Sequence, residues 1–92
     1  EQINACRSML LHILHQLDPH LHMHDFRMVA GETHTNLIFD LVVPFDCVYK
    51  NDQLKEMIES ALAAQPIQYY TIITFDQEYT AIDSETDSGE NF

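Results

Sequence analysis

Apolar residues recur near the start of the chain at three- and four-residue steps: Ile3, Cys6, Met9, Leu10, Ile13, Leu14 and Leu17. This spacing predicts an amphipathic helix with one apolar stripe. Asp18-Pro19 ends it, because a residue before proline is pushed out of the α region. Two strand-like runs follow, HDFRMVA and TNLIFDLVV, separated by GET with its turn-forming glycine. In the second run Leu37, Phe39, Leu41 and Val43 share one face, and Ile38, Asp40 and Val42 the other. Pro44 closes that run. A second helical stripe is formed by Leu54, Met57, Ile58, Ala61 and Leu62, with Asn51 or Asp52 as the expected cap and Pro66 as the stop. A last alternating stretch, YYTIITFDQEYTA, places Tyr70, Ile72, Thr74 and Asp76 on one face and Tyr69, Thr71, Ile73 and Phe75 on the other.

The predicted order is helix, strand, strand, helix, strand. It implies an α+β, two-layer α/β sandwich: a three-stranded mixed sheet with both helices on one face. The crossover through the second helix lays the last strand parallel to the second. The uncovered sheet face leaves a small chain short of burial, so that face is expected to meet another chain. Residues 1–82 form the expected domain. Residues 83–92, DSETDSGENF, are polar and acidic, and are expected to be disordered.

Composition fits one small globular unit of 92 residues, 46% hydrophobic, with two glycines and three prolines. The formal net charge is −11, and the final ten residues contribute four acids and no base. A nucleic-acid partner needs a basic face, and an anionic membrane surface repels such a chain. Cations are the natural counter-charge. Cys6 and Cys47 belong to no CxxC pair and are expected to be buried thiols in a reducing compartment. No apolar run reaches the ~20 residues of a spanning helix, and no signal peptide is visible. The first residue is not Met, which hints at a fragment of a longer protein.

No Gly-rich phosphate loop, HExxH or Ser/His/Asp arrangement is present, so no enzyme is expected. His20, His22 and His24 alternate up to the mouth of the first strand, and His12 and His15 lie on the first helix beside or opposite the apolar stripe. Imidazole and carboxylate suit zinc, iron and manganese. Asp40 and Asp76 each interrupt an apolar strand, where a charge is costly unless solvated or paired. On neighbouring strands both carboxylates project from one sheet face, and His24 at its mouth completes a three-ligand set. His24 shares the parity of Phe26 and Met28, so it must precede the regular pleat. The alternative is a wet, open face on which these acids do nothing specific. His34, in the hairpin turn, carries no expected role.

The run HDFRMVAGETHTNLIFDLVVPFD, followed by a capped helix and YYTIITFDQEY, resembles the cytoplasmic C-terminal domain of the cation diffusion facilitator family of metal-efflux transporters. The likeness rests on His24-Asp25-Phe26-Arg27, on the acid and apolar run from Asp40 to Pro44, and on Asp76 in the closing strand, over roughly residues 3 to 80. It implies a metallochaperone-like, ferredoxin-like plait and a proton-coupled membrane domain upstream in the same polypeptide. It also implies a homodimer below the cell membrane, drawn together by cytosolic Zn, Mn or Fe. By the same resemblance His24, Asp40 and Asp76 are the metal ligands. Thr74 departs from the pattern, standing where several members have a histidine, and this favours a harder, oxygen-richer site. The alternatives are a dimerisation module without its own metal site and a free-standing metal chaperone.

Overall fold

The computed structural model describes residues 2–77. Two helices, α1 (Gln2–Leu17) and α2 (Asn51–Leu62), pack on one three-stranded sheet of β1 (His22–Ala30), β2 (Thr35–Val43) and β3 (Tyr69–Gln77). The strand order is β1-β2-β3, with β1 antiparallel and β3 parallel to β2. The α+β order and the mixed sheet are those the apolar pattern predicts. The expected continuation of β3 to residue 81, the domain boundary at 82 and the acidic tail lie outside the described residues.

Helix α1 stops where the sequence says it should. The Asp18 N–H still donates to Leu14 O at 3.0 Å. Asp18 Oδ1 then accepts the His20 N–H at 2.9 Å, a side-chain turn that carries the chain past Pro19. The hairpin between β1 and β2 closes through Gly31 N–H donating to His34 O at 2.8 Å. A Cβ on Gly31 would stand 2.9 Å from that same oxygen, so the turn needs a residue without a side chain. Neither Asn51 nor Asp52 caps α2. The helix begins one residue earlier than that expectation requires, and the Lys50 N–H is satisfied by Gln53 Oε1 at 2.9 Å. Asp52 sits in the first turn, where its charge complements the helix dipole.

The core lies between the helices and the inner sheet face. Leu37, Phe39, Leu41 and Val43 of β2 meet Leu10 and Leu14 of α1 and Leu54, Ile58 and Leu62 of α2. Among the described residues the one buried polar side chain is Thr71, whose Oγ1 donates to Glu59 Oε2 at 3.0 Å. Cys6 is buried as expected. Cys47 is only half-buried, because it lies on the β2–α2 connection rather than on an inward-facing element.

Strand β1 starts two residues earlier than the pattern predicts and contains a discontinuity. His24 pairs with Asp40, yet Arg27 pairs with Ile38, so β1 uses one residue more than β2 between these points. This is a β-bulge. Asp25, with φ 57°, occupies the left-handed region, which aspartate tolerates better than most residues. The extra residue resets the alternation. Leu21 and Met23 point inward before it and Phe26 and Met28 after it, although their numbers differ in parity.

Candidate metal site

The outer sheet face is built in rows. His24, Asp40 and Thr74 form one row, His22, Val42 and Asp76 the next, and Arg27, Ile38 and Ile72 lie on the other side. The bulge explains why His24 stands on this face. Directly opposed residues of an antiparallel pair have Cβ atoms about 5 Å apart, which puts His24 beside Asp40. Asp76 lies diagonally from Asp40, two residues further along the neighbouring parallel strand, about 8 Å away at ordinary strand spacing and rise. All three predicted ligands therefore share one exposed face of neighbouring strands. They are not drawn into a closed set: among the described residues no group of three His, Cys, Asp or Glu side chains stands ready to hold a metal.

Asp25 is the residue that the sequence reading missed. The bulge swings it onto the outer face, where it lines a shallow open cleft with Phe26, Arg27 and Asp40. Its carboxyl group lies beside that of Asp40. The Asp40 carboxyl is pushed up from its usual range, first by desolvation, then by hydrogen bonding with Asp25 and by the charges of Asp25 and Asp76, with Arg27 pulling the other way. Two carboxylates can share a hydrogen bond only if one holds a proton. The signal for Asp25 was present in the chain. Inward residues at odd positions up to 23 and even positions from 26 require one extra residue between them, and Asp25 is the one that suits a left-handed backbone.

The other candidate histidines lie away from this face's acids or have partners of their own. His12 Nε2 meets Gln16 Nε2 at 3.2 Å within α1, and His15 is exposed. His20 is exposed, with Nδ1 3.6 Å from Asp18. His34, expected to do nothing specific, stacks on Tyr70 with ring centroids 4.1 Å apart and planes 21° apart. The Cys47 thiol is pushed up by desolvation and by a hydrogen bond to the Asp18 carboxylate, against a backbone contact from Tyr49 that lowers it.

The face around the acids is apolar as well as charged. Val29, Tyr70 and Ile72 are each about half exposed, at 50%, 49% and 54%. No described helix is long and apolar enough to cross a membrane. Comparison with family models, with curated protein sequences and with solved structures found no match.

Proposed function

We propose that this chain is the soluble regulatory domain of a proton-coupled divalent-cation efflux transporter, similar to the cytoplasmic domain of cation diffusion facilitators. In this reading it forms a homodimer at the cytoplasmic face of the cell membrane, takes a cytosolic cation on the outer sheet face, and so stabilises the transport-active arrangement of the membrane domain. The observation that carries the reading is the clustering of Asp25, Asp40 and Asp76 on one exposed face with His24 beside them and Arg27 as its only Lys or Arg among the described residues.

The donor chemistry suits a hard or borderline dication: carboxylate oxygens and one imidazole, with Thr74 adding no nitrogen. Asp25 belongs in this set as a fourth candidate donor. The carboxylates already repel one another, as the raised Asp40 group records, and a dication turns that repulsion into attraction. Cation binding shifts the pair of domains only as far as it favours one arrangement over the other.

Titration calorimetry with Zn and Mn at neutral pH tests this directly. The expected result is binding that Asp40→Ala and Asp76→Ala each weaken, together with a metal-dependent change in small-angle scattering. Absence of binding, or binding that both variants leave alone, refutes it. The lack of a closed three-donor group among the described residues favours a second reading, a dimerisation module with no metal site of its own. Scattering curves that are dimeric but indifferent to metal distinguish it.

A further inference from the structure

The two rims of the sheet differ. The β1 rim is broken by the bulge at Asp25. Strand β3 instead runs beside β2 through nine consecutive pairs, Thr35↔Tyr69 to Val43↔Gln77, with no shift. It holds no Pro, Gly, Lys or Arg, and its one charge is Asp76. In a parallel ladder alternate residues turn both backbone groups to the same neighbour. Thr35 N–H donates to Gln68 O at 2.9 Å, so the even positions of β3 face β2 and the odd positions turn N–H and C=O outward. Among the described residues no other strand pairs with that rim. A long, straight, nearly uncharged edge is a template for strand addition.

We propose that the free edge of β3 joins two copies of this chain, as an antiparallel pair centred on Ile73 that makes one six-stranded sheet. The register is self-complementary. Outer-face residues oppose outer-face residues, so Asp76 lies opposite the partner's Tyr70 and Ile72 opposite the partner's Thr74. The two Asp76 carboxylates then sit at opposite ends of the pair, about 20 Å apart at the rise of a β-strand. Roughly ten new backbone hydrogen bonds form across the odd positions. The bulged β1 rim offers no straight ladder to β3 of a second copy, so head-to-tail growth is blocked and the twofold pair stops at two. For a chain of net charge −11, a strand with one acid in nine residues is also where two copies meet with little repulsion.

This pairing uses no cation and stands apart from the metal-binding reading, so it is tested in EDTA. Sedimentation of the chain across a range of concentrations should show a monomer–dimer equilibrium. Amide exchange should show Thr71, Ile73 and Phe75 protected in the dimer and released on dilution. A ligated chain carrying N-methyl-isoleucine at position 73 keeps every side chain but loses two bonds across the twofold, and dimer affinity should fall roughly a hundredfold with circular dichroism unchanged. Three results overturn the proposal: a monomer at every concentration, a dimer indifferent to the N-methyl group, or odd-position protection in a monomer that vanishes on truncation after Gln77. The last would assign the edge to residues 78–92. The exchange data on the unmodified chain decide the matter even if the N-methyl chain does not fold.

Discussion

Substitution of Asp25 separates the backbone demand of the bulge from the charge it delivers. At φ 57° an L-residue with a Cβ costs about 1–2 kcal/mol, with aspartate at the low end and β-branched residues at the top. Asp25→Gly removes that cost but adds about 0.5–1 kcal/mol of unfolded-chain entropy, so its net effect lies between neutral and slightly stabilising. Asp25→Val carries the full penalty, and set against the entropy cost of glycine it should lose about 1–1.5 kcal/mol relative to the glycine variant. With a urea slope near 1 kcal/mol/M for so small a chain, the two midpoints should differ by about 1–1.5 M, readily measured by circular dichroism. Asp25→Asn completes the series: it keeps tolerance of the left-handed backbone and removes the charge. The Asp40 carboxyl should then move back down toward its usual range, followed by side-chain carbonyl NMR. Equal midpoints for glycine and valine would refute a left-handed residue at this position. An unmoved Asp40 titration would refute the pairing of the two acids.

The same carboxyl gives a signed pH dependence. Because the folded Asp40 holds its proton to higher pH than the unfolded chain does, stability falls as pH rises through the interval between the two values and the loss is complete above it. Asp40→Asn should therefore gain on the wild type across that interval in urea midpoints taken at several pH values; a constant difference contradicts the cause given. Phe39→Ala empties the centre of the inner face, where Phe39 is 1% exposed, and should cost about 3–5 kcal/mol, enough to leave much of the population unfolded in circular dichroism. Asp18→Asn removes the negative charge beside the Cys47 thiol and should lower its pKa, seen as faster alkylation at mildly alkaline pH; an unchanged rate excludes the contact.

The apolar rhythm of the chain made most of the fold legible. Steps of three and four along Ile3–Leu17 and Leu54–Leu62 define the two helices, and alternation along Leu37–Val43 sets which face of β2 is buried. The bulge was hidden because a strict count of twos begins afresh at Asp25, so His24 looked misplaced when the pleat itself had changed phase. The cap of α2 was misread for a related reason: Asn51 and Asp52 are good caps by type, but the Lys50 N–H found Gln53 first. Asp40 and Asp76 were readable as charges in apolar strands. That Asp25 joins His24 beside Asp40 follows only once the switch from odd to even inward positions is read as a bulge and its extra residue is given a left-handed backbone.

Helix α1 is attached to the rest of the molecule almost wholly by grease. Cys6, Leu10, Ile13 and Leu14 are its buried residues, and the contact of the Cys6 thiol with the Tyr69 hydroxyl is its one polar tie to the sheet among the described side chains. Contacts without direction resist shear poorly, whereas the β2–β3 ladder must break bond by bond. A tug on the leading end of the chain should lift α1 first and, because Leu10 and Leu14 are fully buried in the shared core, lay that core open to water. Anything tethered ahead of Gln2 thus pulls on a mechanical fuse before it strains the acidic face.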